Sequence, residues 1–83
     1  MVVNFHPHAI ERMEERGTSE EEVAATVEHG EQFAAKFGRT GFRRNFAYAS
    51  EWHGKHYETK QVEAYAVRED SAWLVITIIT RYF

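Results

Sequence analysis

His8, Arg12 and Arg16 recur at i, i+4 and i+8. At about 100° per residue this spacing lays an imidazole and two guanidinium groups along one ridge of a helix. Histidine titrates nearest neutral pH, so His8 can give or take a proton. The planar guanidinium fork is always charged and matches a phosphate. The ridge borders apolar Ala9, Ile10 and Met13. It can therefore look into a cleft, or lay its arginine stems over the core with their heads in water. Glu11, Glu14 and Glu15 stand close enough to pair with it. Two more cations sit in alternating segments. Lys60 shares a face with Glu58, Val62, Ala64 and Ala66, while Tyr57, Thr59, Gln61, Glu63 and Tyr65 share the other. Lys60 is thus either a snorkelling end residue or a site residue. Lys55 and Tyr57 lie beside it at the preceding turn. Arg81 follows an apolar run and shares a face with Thr77, Ile79 and Phe83, opposite Ile78, Thr80 and Tyr82. It either pairs with a glutamate or contacts a phosphate.

The remaining histidines offer a second chemistry. His6-Pro7-His8 and His53-Gly54-Lys55-His56 are two-ligand spacings. A zinc site needs three or four converging ligands, and no acidic residue is placed as a third. Surface or turn histidines are the better reading, and neither a metal nor a cofactor is expected. The absence of cysteine excludes a disulfide framework, a thiolate zinc site and a cysteine nucleophile.

The elements that must position these groups follow from pattern. Pro7 is well placed in a first helical turn, and Gly17 closes a helix over residues 7–16. Ser19 with Glu22 matches a capping box, with Thr18 and Glu21 as an alternative frame; Val23, Ala24 and Val27 form the stripe of a second helix, which Gly30 stops. The period then falls toward 2. Strands are expected over 31–37, 42–48, 57–67 and 73–82, with turns at 38–41, His53-Gly54 and Glu69-Asp70-Ser71. Short turns make consecutive strands antiparallel. The expected architecture is α+β: two N-terminal helices packed on a four-stranded antiparallel sheet, in the order ααββββ.

Charge is divided along the chain. Residues 1–32 carry eight glutamates against Arg12 and Arg16, whereas residues 33–83 carry five acids against eight bases, within a net charge of −3. Arg39, Arg43, Arg44, Lys55 and Lys60 alternate with aromatic residues, a composition that binds a polyanion or lines a solvated sheet face. Eighty-three residues with 43% hydrophobic content suit one globular domain. No apolar run is long enough to span a membrane and no signal layout opens the chain, so no membrane contact and a cytoplasmic location are expected.

The segment HAIERMEERGTSEEEV (His8 to Val23) resembles the opening of the family called domain of unknown function 4258, of the form HAxxRMxxRGISxxxV. GKHYETKQVEAY (Gly54 to Tyr65) and VITIITRYF (Val75 to Phe83) resemble its middle and tail. Thr18 departs from the usual apolar residue. The family is grouped with the RelE/ParE-like toxins, which combine N-terminal helices with an antiparallel sheet and include metal-independent endoribonucleases of toxin–antitoxin systems. The resemblance maps His8, Arg12 and Arg16 onto the opening motif, Lys60 and Gln61 onto a KQ pair, and Thr80, Arg81 and Tyr82 onto the tail. It implies RNA cleavage. His8 would act as base or acid, and Arg12, Lys60 and Arg81 would bind the scissile phosphate. Tyr57 or Tyr82 would donate a proton or stack on a base, while Arg39, Arg43 and Arg44 guide the RNA backbone. The alternative is a non-catalytic toxin-like module that binds an antitoxin or another protein, or forms a homodimer. The acidic net charge and the apolar last strand favour that reading.

Overall fold

A computed structural model describes residues 2–83. Its elements are β1 (Val2–Phe5), α1 (Pro7–Arg16), α2 (Glu20–His29), β2 (Glu31–Ala34), β3 (Thr40–Trp52), β4 (Lys55–Glu69) and β5 (Ala72–Tyr82).

Local chemistry explains the helix ends. Pro7 opens α1 behind the cap His6, whose Nδ1 accepts a hydrogen bond from the His8 amide at 3.1 Å. Gly17 closes α1 in the left-handed region, with its amide donating to the Met13 carbonyl. Ser19 caps α2 by accepting from the Glu22 amide at 3.2 Å. Only this half of the predicted capping box forms, because the Glu22 carboxylate turns to Thr18 and Lys60 instead.

Both helices pack on one face of the sheet. Ala9 and Met13 of α1 and Val23 and Val27 of α2 meet Phe42, Val62, Ala64, Ala66, Val75 and Ile78 in the core. Ile10, expected in the α1 stripe, is 49% exposed. The radius of gyration is 12.5 Å, close to the ~12 Å expected for a compact chain of this length.

The expected four-stranded antiparallel sheet is wrong. The sheet has five strands in the order β1-β5-β4-β3-β2 and is mixed, since β1 runs parallel to β5 with Val2 opposite Ala72 and Phe5 opposite Val75. The fold remains α+β, with the order βααββββ. Four residues are too few to show a period, and β1 owes its form to hydrogen bonds with a strand about seventy residues away. The strand lengths also differ from expectation. β2 stops at Ala34, and β3 runs on to Trp52 through a bulge between Ala47 and Ser50. A second register shift, between Tyr65 and Ala66 of β4, leaves Ile76 outside the β4–β5 pairing. Such a bulge exchanges the faces of a strand. This accounts for the apolar residues on both faces of the first half of β5.

Candidate functional site

The pleat sends the sequence-predicted residues to opposite sides of the sheet. Lys60 lies opposite Tyr82 in the register, and Gln61 lies opposite Arg81. Lys60 and Tyr82 therefore face the helices, and Gln61 and Arg81 face the helix-free side.

On the helix side, Lys60 is 6% exposed. Its ammonium donates to the Gly17 carbonyl at 3.0 Å and to Glu22 Oε1 at 2.7 Å, and stands over the Tyr48 ring. Thr18 Oγ1 donates to the same Glu22 oxygen. The Arg16 carbonyl accepts from Tyr82 Oη at 2.7 Å and from Thr80 Oγ1 at 2.9 Å, and Arg16 Nε donates to the Ile78 carbonyl. Tyr82 stacks on Trp52, which stacks on His53. Burial raises the Tyr82 hydroxyl pKa, against the opposing effect of Thr80. Together these groups fasten the α1–α2 turn to the sheet. Lys60 satisfies the Gly17 carbonyl at the C-terminus of α1, where a cation is favoured. His8 and Arg12 lie farther back along α1, and Arg12 pairs with Glu15 at 2.6 Å. Arg44 reaches toward the Ala25 carbonyl of α2, and Lys55 stands over Tyr57 at the β3–β4 hairpin.

The helix-free face gathers a different set. Glu63 is 2% exposed at its centre. Its Oε2 accepts from Arg43 Nε at 2.7 Å and Arg81 Nη1 at 2.8 Å, and its Oε1 accepts from Tyr65 Oη at 2.9 Å. Arg43 also reaches Glu31 at 3.3 Å and stacks over Phe33, which meets Tyr65 edge to face. Gln61 donates to Asn45 beside them. Burial alone would push the Glu63 carboxyl up. Hydrogen bonds from Arg81, Arg43 and Tyr65, with the charge of Arg81, outweigh it and hold the group below the usual carboxylate range. Burial, then the bond to Glu63, raises the Tyr65 hydroxyl pKa. Both guanidinium groups remain partly exposed, so each keeps donors for a ligand.

The depressed carboxyl has a stability consequence. Its contribution is complete above the ordinary carboxylate range and is lost as pH falls through the lower, folded-state value. Glu63→Gln is expected to cost about 2 kcal/mol at neutral pH, below the ~3–5 of a fully buried pair because both arginines reach water. In urea unfolding curves the difference between wild type and variant should shrink on acidification. A pH-independent difference would show that the charge of Glu63 does not contribute.

Beside this cluster, Phe33, Tyr65, Thr77 and Ile79 floor a groove of about 420 Å³ walled by the β2–β3 loop, including Lys36, Phe37 and Arg39. The sequence-predicted Arg39, Arg43, Gln61 and Arg81 thus share this side, whereas His8, Arg12, Arg16, Arg44, Lys60 and Tyr82 do not. Glu63, Tyr65 and Phe33 went unrecognised as site residues. The available signal was the row Gln61, Glu63, Tyr65, which leads a charged residue through the middle of a central strand. Among the described residues, no three His, Asp or Glu side chains cluster to hold a metal ion, and no helix is long and apolar enough to cross a membrane.

No curated protein and no solved structure matches the chain. A family model does, over residues 5–80, which takes in β1 at Phe5, both helices and all but the last residues of β5. The match spans the Arg43–Glu63 part of the open-face cluster and ends one residue before Arg81. The chain belongs to the family described as domain of unknown function, DUF4258.

Proposed function

We propose that the protein is an RNA-directed, toxin-like endoribonuclease that engages a phosphodiester on the helix-free face of its sheet. One observation carries this reading: charge is segregated across the sheet. The helices hold Glu11, Glu14, Glu15, Glu20, Glu21, Glu22 and Glu28, while Arg43 and Arg81 converge on the open face among aromatic rings. The acidic net charge therefore does not oppose polyanion binding, because seven of the thirteen acids lie on the helices behind the sheet and the field at the open face is set locally. The family's grouping with the RelE/ParE-like toxins, which include metal-independent endoribonucleases, supports the same reading.

Cleavage proceeds by attack of the 2′-oxygen on phosphorus, forming a 2′,3′-cyclic phosphate and expelling the 5′-oxygen. The 2′-hydroxyl proton passes to solvent water, and solvent water returns one to the 5′-oxygen. Arg43 and Arg81 stabilise the added charge on the phosphorane. Glu63 is the carboxylate in contact with both, and Tyr65 is the neutral O–H donor beside it. With its pKa depressed, Glu63 is a weak base, so charge stabilisation is the larger contribution. Lys60 and Tyr82 have no part in this chemistry, since both are engaged under the α1–α2 turn.

The test is incubation of purified protein with total cellular RNA in the presence of chelator, with and without ribosomes. Arg81→Ala should retain the wild-type circular dichroism spectrum and lose about 100-fold in cleavage rate, the scale of one lost transition-state donor. Full activity in that variant, or no fragments from wild type under either condition, would sink the proposal. The exposed Phe37 and Phe83 favour the second reading, a non-catalytic module whose open side is covered by an antitoxin-like partner or a second copy.

A further inference from the structure

The β2–β3 loop presents its most hydrophobic residue to water. Phe37 is 87% exposed. It stands in the left-handed region at φ 61°, followed by Gly38 at φ 70°, a conformation that bulky residues rarely adopt. The loop is held by hydrogen bonds from the Ala35 amide to the Arg39 carbonyl and from the Arg39 amide to the Lys36 carbonyl. The chain therefore holds an aromatic ring in solvent between two cations, at the rim of the groove floored by Phe33, Tyr65, Thr77 and Ile79.

We infer that this groove is a subsite for an unpaired nucleobase of a single-stranded RNA whose backbone lies on Arg43 and Arg81. The inference rests on the RNA-directed reading above and adds what is bound beside the phosphate. Three observations select this occupant. The groove lies within the size range of small-molecule sites, ~300–1,000 Å³. Its floor is aromatic and aliphatic, and its lining includes Lys36 and Arg39 but no carboxylate. Finally, it is continuous with the arginine cluster, because Phe33 lies under Arg43 and Tyr65 bonds Glu63. The carboxylates that Arg43 and Arg81 pair with on this side are Glu31 and Glu63, and both are held by Arg43. A ligand that alternates flat rings with negative charges satisfies the surface, and an unpaired strand does so because its bases are free to leave the stack. A duplex keeps its ring faces stacked inside and cannot fill the groove.

The experiment is fluorescence anisotropy with a short labelled oligoribonucleotide, in three forms: single-stranded, annealed to its complement, and single-stranded with abasic sites. Wild type should bind the intact single strand at least tenfold more tightly than the other two. Phe37→Ala should lose about tenfold on the intact strand, the scale of one lost base stack, and nothing on the abasic strand. Arg81→Ala should weaken binding to all three. Equal affinity for intact and abasic strands, or unchanged binding by Phe37→Ala while Arg81→Ala weakens it, would overturn the base subsite and leave the phosphate site standing. No binding of any form at low salt would overturn the RNA reading itself. A wild-type dimer that Phe37→Ala converts to monomer in sedimentation would assign the groove to a second copy of the chain and overturn the inference.

Discussion

Lys60→Ala should lower stability by about 3 kcal/mol and the melting temperature by roughly 12–24 °C, on the scale of a domain this size. The substitution removes a buried ammonium that bonds the Gly17 carbonyl and Glu22. It leaves the Glu22 carboxylate, three-quarters buried, without its cation. It also opens space beneath the α1–α2 turn. Glu22→Ala should cost at least as much, since it strands the more deeply buried partner, and the double variant should cost less than the two single losses combined. Lys60→Met retains the aliphatic stem and should recover part of the loss. Once folded, it should leave the proposed RNA cleavage unchanged from wild type, a readout that separates a structural lysine from a catalytic one. A melting temperature for Lys60→Ala within a few degrees of wild type would show that the turn is held by other contacts.

Gly17→Ala is the second large effect, again about 3 kcal/mol. The residue sits at φ 74°, where a β-carbon costs about 1–2 kcal/mol on its own. That carbon would also run into Trp52 Cζ3 and lie 2.6 Å from Cη2 of the same ring and 2.7 Å from Tyr82 Oη, closer than nonbonded atoms approach. Trp52 would have to leave its stack on Tyr82, and Tyr82 Oη its bond to the Arg16 carbonyl. The two costs separate experimentally. In Trp52→Ala the clash with the indole should vanish, leaving the backbone part and the contact with Tyr82 Oη, so Gly17→Ala should be milder there than in wild type. Equal losses in both backgrounds, measured by urea unfolding, would show that the indole clash contributes nothing and assign the effect to the backbone and Tyr82.

Much of this arrangement was legible in the residues. α1 spans the expected residues 7–16 because Pro7 and Gly17 punctuate both ends with backbone chemistry that acts locally. The faces of β4 follow from alternation alone, and they already placed Lys60 and Glu63 on opposite sides. The separation of Lys60 from Arg81 required the β4–β5 register, which no local signal sets. β1 and the bulge at Ile76 were hidden for the same reason, since each exists only through a distant strand. The family resemblance pointed to RNA but grouped residues by motif. Motif order carries no information about which face of a sheet a side chain meets. Glu63 escaped notice because a lone glutamate in a strand resembles any solvated one until the arginines on neighbouring strands are in place.

The pairing of β1 with β5 bears on how the chain is made. The first strand, and the core faces of both helices, wait for strands that leave the ribosome after them. Until β4 and β5 emerge, α1 lacks the strand it packs on and α2 has only β3, with Phe42, to cover Val23 and Val27. Contacts this distant in sequence slow folding, because a long loop must close before any pairing rewards it. Helices formed early are therefore short-lived and exposed, and this domain should acquire its structure in one step once β5 has emerged rather than progressively from β1 onward.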